Sequence, residues 1–109
     1  MSRIFTRLDS TIALSPGQMK CISIDGHGIL LANVNGTFYA TDEMCTHEDA
    51  RLCTGSLKDE FVKCPLHGSR FNLRTGEVMD EPAEEDLRTY PLKIEGEDIL
   101  ICLDREERL

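Results

Sequence analysis

Short apolar runs, each ended by a turn signal, make up most of the chain. The runs cover 18–24, 29–34, 37–41, 61–64, 77–80, 87–94 and 98–103. Runs of this length bounded by Gly, Asn or Asp are typical of β-strands, and the 3.6-residue period of an amphipathic helix is hard to find. The pattern predicts an all-β protein of seven to nine short strands, a small antiparallel β sandwich or barrel.

Turn residues between the runs predict how neighbouring strands pair. Asn35-Gly36 separates two apolar runs, which is a strong hairpin signal because a type I′ turn needs positive φ at both central residues. The segment 25–28 predicts a second turn, and the segment 95–97 predicts a third. Pro91 cannot donate to a strand ladder, so we expect it at a sheet edge or a bulge.

The segment 42–71 differs from its surroundings because it is rich in Cys, His, Gly and charged residues. Its only strand signal lies around 61–64. We predict one domain over residues 1–109, with a β framework at about 1–41 and 72–109 and a functional loop insertion at about 42–71. Loops carried on a rigid sheet are where binding sites usually lie.

Composition and charge narrow the possible partners. The 109 residues are 40% hydrophobic and 29% charged, as in a soluble globular protein, and the net charge is -8. This charge argues against a nucleic-acid or anionic-membrane partner, since both call for a basic patch. The acidic run 80–86 is interpreted as a solvated loop, with a surface that steers toward a basic partner as the alternative.

The N-terminus and the cysteine count indicate a reducing compartment. Residues 1–10 have no apolar core of a secretory signal, no stretch approaches a membrane span, and a cytoplasmic location is expected. Five cysteines fit a disulfide framework poorly because their number is odd, and clustered cysteines in such a compartment more often bind metal.

Two mixed pairs of ligand residues lie in the insertion. Cys45 and His47 are one residue apart, and after a spacer of 16 residues Cys64 and His67 are two residues apart. Structural zinc could use such a set, but zinc sites usually pair like residues. A 2Fe–2S cluster explains why each pair contains one Cys and one His, because each loop can span both irons and bind one through Cys and the other through His.

These residues closely resemble the Rieske proteins, whose pattern is Cys-x-His, about sixteen residues, and Cys-x-x-His. The flanking stretches "EMCTHEDARLCTGSL" and "VKCPLHGSRFNLRTGEV" are also similar, and the resemblance covers nearly the whole chain. It implies one Rieske-type 2Fe–2S cluster per chain, with Cys45 and Cys64 on one iron and His47 and His67 on the other. Two thiolates leave the oxidised centre neutral, which raises its potential above that of an all-Cys cluster.

The family comparison also indicates which type of Rieske protein this is. The respiratory type carries an extra loop disulfide, but its positions here correspond to Ala50 and Leu66. A Ser that raises the potential is matched by Ser69, whereas the position of a Tyr with the same effect holds Phe71. A potential toward the low end of about -150 to +300 mV is therefore expected.

The small size points to an electron carrier. Rieske oxygenases add a domain with a mononuclear iron, and the one His left over, His27, is interpreted as an exposed turn residue. The resemblance implies a monomeric Rieske-type ferredoxin, not catalytic alone, that passes single electrons from a flavin reductase to a terminal ring-hydroxylating oxygenase in aromatic compound degradation. The alternatives are the small subunit of an assimilatory nitrite reductase and a zinc-stabilised interaction module.

Several residues around the ligands have expected roles. Gly68, Ser69 and Pro65 should shape the second loop and help direct backbone N–H groups to the cluster. His47 and His67 should reach the surface at one tip, where a redox partner docks. Cys21 and Cys102 are interpreted as small buried hydrophobic residues, and Cys53 as a residue that does not bind the metal.

Overall fold

The computed structural model describes residues 4–8, 14–47, 49–66, 68–96 and 98–103. Its described part contains 10 strands and one 3-10 helix, arranged in three sheets whose strand pairs are all antiparallel. The elements are β1 (Phe5–Arg7), β2 (Met19–Ile24), β3 (His27–Val34), β4 (Thr37–Asp42), η1 (Leu52–Thr54), β5 (Ser56–Lys58), β6 (Phe61–Lys63), β7 (Arg70–Asn72), β8 (Thr89–Tyr90), β9 (Leu92–Glu95) and β10 (Asp98–Cys102). The predicted antiparallel all-β class is confirmed.

The central sheet has the order β2-β3-β4-β8 and is covered on both faces. Side chains alternate across a strand, so Leu30 and Ala32 of β3 pack into one apolar cluster while Ile29 and Leu31 pack into another. All four are fully buried. The continuous apolar run at 29–32 thus reflects a strand buried on both sides.

A second sheet, β1-β10-β9, supplies the cluster that contains Ile29 and Leu31, through residues such as Ile101. Pro91 lies between β8 and β9, each of which is the edge strand of its sheet, so the chain passes from one sheet to the other there. Its carbonyl accepts a hydrogen bond of 3.0 Å from the Cys102 N–H. The break explains why the single predicted run 87–94 is two strands.

The third sheet, β5-β6-β7, lies almost entirely within 42–71 and covers the other face of the central sheet. Here the prediction was wrong, because the segment was expected to contain one strand. Only Leu57 of β5 is directed inward from that strand, and β7 is just three residues long, so neither has a recognisable period. Strand β1 was also missed, and the run 77–80 forms only an isolated bridge between Val78 and Phe71.

Two of the three predicted hairpin turns lie within the described residues and are present, with one correction. Asn35 and Gly36 have φ values of 54° and 93°, as a type I′ turn requires. Asp25 and Gly26 also have positive φ, and Ile24 pairs directly with His27 across them. His27 therefore belongs to β3 and is half-buried, and its Nδ1 atom is buried without a hydrogen bond. The prediction that His27 is an exposed turn residue was wrong. The predicted turn at 95–97 includes residue 97, which lies outside the described residues.

The cysteine predictions are partly wrong. Cys21 of β2 and Cys53 of η1 form a disulfide, with Cα atoms 5.6 Å apart and a sequence separation of 32. Cys21 was predicted to be a buried hydrophobic residue, but it is half-exposed and bonded to Cys53. The disulfide leaves the sulfur of Cys53 unavailable to a metal, as predicted. Cys102 is free and fully buried, as predicted.

Among the described residues, no helix is long and apolar enough to cross a membrane.

Candidate cluster-binding site

The first ligand loop follows β4 and is closed at its base by backbone hydrogen bonds. The Cys45 N–H donates to the Ala50 carbonyl at 2.9 Å, and Met44 and Arg51 form an isolated bridge. Leu52, fully buried, anchors the exit of the loop in the apolar cluster under the central sheet. Cys45 is buried at the same place, so its thiol is fixed in position and shielded from water.

His47 stands on the outer side of this loop. Its side chain is exposed, while its backbone N–H lies 3.5 Å from the Cys45 sulfur, as a donor to it. A backbone N–H directed at a cysteine sulfur favours the thiolate, which is the metal-binding form. The loop therefore presents a buried sulfur and a solvent-side imidazole two residues apart.

The second ligand loop connects β6 to β7. The Cys64 N–H donates to the Ser69 carbonyl at 2.8 Å, and the Gly68 N–H donates to the Cys64 carbonyl at 3.2 Å. These bonds close a tight loop in which Gly68 has a φ of 81°, a left-handed conformation that favours glycine.

The ligand candidates of the second loop differ in what can be described. Cys64 is buried and outside the disulfide, like Cys45, while Pro65 and Leu66 are exposed. His67, the fourth predicted ligand, lies outside the described residues. Because the loop holds a shielded thiol and turns outward directly after it, its shape parallels that of the first loop.

A third segment, the acidic run 80–86, supports both loops, a role that the sequence did not predict for it. The Ala83 N–H donates to Ser69 Oγ at 3.1 Å, and both residues are buried. On the other side, Thr46 Oγ1 donates to the Glu85 carbonyl at 2.7 Å. The acidic run 80–86 is thus fixed by its backbone to a residue beside each pair of ligands. No signal in the sequence alone indicates such a contact.

Gly55 allows a close approach between the stretch that joins the two loops and strand β6. A Cβ atom at Gly55 would lie 1.9 Å from the Lys63 carbonyl oxygen, so only glycine allows the chain to pass β6 this closely. Lys63 directly precedes Cys64, so this approach fixes the start of the second loop.

Two ion pairs flank the loops. Arg51 Nε lies 3.4 Å from a Glu43 carboxylate oxygen at the base of the first loop. Arg70 lies directly after Ser69, and its Nε and Nη2 atoms bond to the two Asp80 carboxylate oxygens at 2.6 and 3.3 Å. The hydrogen bond from Arg70 lowers the pKa of the Asp80 carboxyl below its usual value, and the same contact raises the pKa of Arg70.

The described residues can be tested for their fit to a 2Fe–2S cluster. They include no group of three or more His, Cys, Asp or Glu residues placed to hold a single metal ion. They do provide two buried thiols outside the disulfide, one at the base of each loop, and an exposed imidazole beside the first. A shielded sulfur side and a solvent-facing imidazole side fit a cluster that is ligated unequally.

Comparison with known proteins places these loops in a family. Residues 5–91 match the model of the Rieske [2Fe-2S] domain. The chain is 40% identical over 99 residues to the ferredoxin component of biphenyl 2,3-dioxygenase from Rhodococcus jostii RHA1, a match that covers 91% of this chain and 92% of the relative.

The solved structures agree on the fold. The ferredoxin of carbazole 1,9a-dioxygenase from Nocardioides aromaticivorans IC177 superposes with a TM-score of 0.83 at 29% identity, over 90% of this chain and 96% of that one. The small subunit suggested for an NADH-dependent nitrite reductase of Mycobacterium tuberculosis superposes with a TM-score of 0.82, covering 96% and 99%, but its 20% identity indicates the fold alone.

The family match also decides between the two metals that the spacing left open. A match over residues 5–91, with the Cys-x-His and Cys-x-x-His pairs inside it, favours the iron–sulfur centre over a structural zinc ion. The chain belongs to the Rieske [2Fe-2S] domain family, and its cofactor is a Rieske-type 2Fe–2S cluster.

Proposed function

We propose that this protein is the ferredoxin component of a ring-hydroxylating oxygenase system, a one-electron carrier between a flavin reductase and a terminal oxygenase that acts on aromatic compounds. The observation that carries the proposal is the 40% identity to a dioxygenase ferredoxin component over almost the full length of both chains. The nitrite reductase subunit shares only the fold at 20% identity, so the carrier function is preferred.

The four ligand candidates are assigned by matching this chain to the family pattern. Cys45 and Cys64 would hold one iron through their sulfurs, and His47 and His67 would hold the other through ring nitrogens. The burial of both cysteines supports this assignment, because it keeps the sulfur side of the cluster away from water. When bound, the cluster accepts and releases one electron at a time.

The surrounding residues hold the ligands in place. Gly68 lets the second loop turn, Pro65 restricts its backbone, and Ser69 joins it to the segment around Ala83. The exposed position of His47 supports electron exchange at this tip of the molecule, since a carrier must bring its cluster close to its partner.

Several further properties belong to the same proposal. The protein would be cytoplasmic and monomeric, and it would have no catalytic activity by itself. Contacts with the reductase and the oxygenase would be weak and brief, because a carrier must dissociate after each transfer. Neither nucleic acids nor membranes would be partners, in keeping with the net charge of -8.

Two measurements test the proposal. The dithionite-reduced protein should give an EPR signal with the low average g value of mixed His and Cys ligation. Aromatic substrate turnover by the R. jostii biphenyl 2,3-dioxygenase, supplied with a flavin reductase, should then depend on added ferredoxin. The EPR signal without turnover by any ring-hydroxylating oxygenase, together with stable co-purification with a sirohaem protein, would instead establish a nitrite reductase subunit.

A further inference from the structure

A groove of about 490 Å³ lies on the outer face of the sheet β5-β6-β7. Its lining residues are Ser56, Lys58, Asp59, Phe61, Lys63 and Arg70. Ser56, Lys63 and Arg70 face one another directly across the three strands, whereas Leu57, Val62 and Phe71 form the neighbouring row. Val62 and Phe71 are fully buried, so the groove is the solvent face of a sheet whose other face belongs to the core.

Two ammonium groups in this groove form no ion pair with a carboxylate of the described residues, although the charge of Lys63 acts on Asp80 at longer range and lowers the pKa of that carboxyl slightly. Lys58 and Lys63 are both exposed, and neither forms an ion pair with a described residue. The third cation, Arg70, is held by Asp80 and lies 5.6 Å from the centroid of the Phe61 ring. Asp59 is the one carboxylate among the lining residues, and Asp80 lies outside the lining.

The groove therefore differs in charge from the rest of the molecule. Even with Asp59 and Asp80 counted, its cations outnumber its anions, while the whole chain carries -8. A cationic region on an acidic protein gives the molecule a charge asymmetry that can orient an approaching partner.

The position of Lys63 connects the groove to the second ligand loop. Lys63 directly precedes Cys64, and its Cε atom lies 3.3 Å from the point where a Cβ of Gly68 would be. Its side chain thus lies along the loop that contains Cys64 and His67 in sequence. A protein bound at the tip of this loop would cover the ammonium group of Lys63 as well.

We propose that this groove is a docking surface for a carboxylate-rich surface of the terminal oxygenase, with Lys58 and Lys63 as its charged contacts and Phe61 as its apolar floor. This inference rests on the proposed function and adds the partner's chemistry to it. Attraction between these two exposed ammonium groups and acidic side chains would orient the oxygenase beside the second loop. It would act mainly on the rate of association and would weaken with salt.

The kinetic test uses charge reversal with a matched control. In holoprotein, K58E/K63E should raise the ferredoxin concentration needed for half-maximal turnover by the biphenyl 2,3-dioxygenase by about tenfold at low salt. The increase should shrink at high salt, and the maximal rate should not change. The control K20E/K93E changes the charge equally on strands β2 and β9, outside the groove, and should have at most about a third of that effect.

The position of Lys63 beside the second loop requires a second check. The EPR signal and the reduction potential of each variant should match the wild type, and K58E alone, further from Gly68, should retain a clear part of the effect. Equal effects of the groove and control variants, or no effect of either, would overturn the docking surface.

Carbodiimide cross-linking identifies the contact without depending on turnover. It joins a lysine amine to a carboxylate in direct contact by an amide bond, with loss of water. Mixtures with the oxygenase should give cross-links from Lys58 or Lys63 to its Asp or Glu residues, located by mass spectrometry. Cross-links only through other lysines, only to the reductase, or none at all would refute the proposal. Absent turnover with the wild type would refute the proposed function instead, whichever lysines are cross-linked.

Discussion

At the scale of single residues, the two ligand candidates of the first loop differ in burial. His47 is exposed on its loop, and Cys45 is buried two residues earlier. The first can therefore be exchanged with little effect on the core, whereas the second also contributes to an apolar cluster. This difference makes the histidine the better probe of ligation.

Replacement of His47 by Ala should abolish the reddish-brown colour of the protein and its bound iron, because one iron would lose an imidazole ligand. The measurement is the visible spectrum together with iron and sulfide analysis. His27→Ala is the control, since His27 lies in β3, and this variant should keep the full cluster. A His47 variant with normal colour would show that this residue is not a ligand.

Replacement of Ser69 by Ala should destabilise the holoprotein by about 1–3 kcal/mol, because the buried N–H of Ala83 loses its acceptor. Denaturant unfolding monitored at the cluster absorbance measures the change. Ser56→Ala, at an exposed position, should change the free energy of unfolding by less than about 0.5 kcal/mol. Equal stability of the two variants would contradict the supporting role of Ser69.

At the scale of secondary-structure elements, the cluster-binding segment is fixed to the framework by backbone approach and by covalent linkage. Gly55 allows close contact with β6, and the disulfide joins β2 to η1. Both features act on the stretch between the two ligand loops, so both should influence how well the loops are positioned for a cluster.

Replacement of Gly55 by Ala should lower stability by at least about 1–3 kcal/mol, because the added methyl group meets the rigid Lys63 carbonyl. The iron content after purification should fall as well, because Lys63 directly precedes Cys64 and a shift of its carbonyl would displace that cysteine. Gly28→Ala is the control, because the nearest atoms to its methyl group belong to the Glu43 carboxylate, a side-chain end that can move at the cost of its partly exposed ion pair with Arg51. Similar thermal midpoints and iron contents in the two variants would disprove the effect.

Loss of the Cys21–Cys53 link should cost about 2–4 kcal/mol, since it closes a chain segment with a separation of 32 residues. Cys21→Ser, Cys53→Ser and the double variant should all lose the same amount in denaturant unfolding, because any one of them removes the whole bond. Free-thiol counts on the denatured protein provide the control. Losses that add up between the single variants would indicate two independent thiols.

The elements could be predicted wherever a run was long and apolar. Strand β3 and the Asn35-Gly36 turn follow directly from the sequence, because burial on both faces and positive φ each select a narrow set of residues. Strands β5 and β7 could not be found, since a strand of three residues is too short to show a period. The disulfide was missed because spatial proximity between β2 and η1 leaves no trace in one sequence.

At the scale of the whole molecule, the fold and the cofactor were more predictable than the supports of the site. Mixed Cys and His pairs with a 16-residue spacer are specific enough for the sequence alone to indicate the cluster type. Ala83 and Glu85 contact the loops because their segment folds back onto them, and the spacing of residues in the sequence does not reveal such a contact. The predicted division into framework and insertion stays a prediction.

A reductive titration of the intact protein should consume one electron per chain, because a single 2Fe–2S cluster takes up one electron. Anaerobic dithionite titration followed in the visible spectrum measures this number, with the cluster content from iron analysis as the reference. A value near two per cluster-loaded chain would indicate a second redox group. Reduction of the Cys21–Cys53 bond would also raise the count, and the double serine variant distinguishes these two cases.

The hydrogen bonds from Ala83 and to Glu85 have a consequence for how the site is completed. Both ligand loops are finished by residue 69, yet each also needs a contact supplied 14 or 39 positions later in the chain. During synthesis, the loops are therefore complete before the segment that supports them has been made. A fragment that ends before residue 80 would contain all four proposed cluster ligands, and we expect it to retain iron poorly.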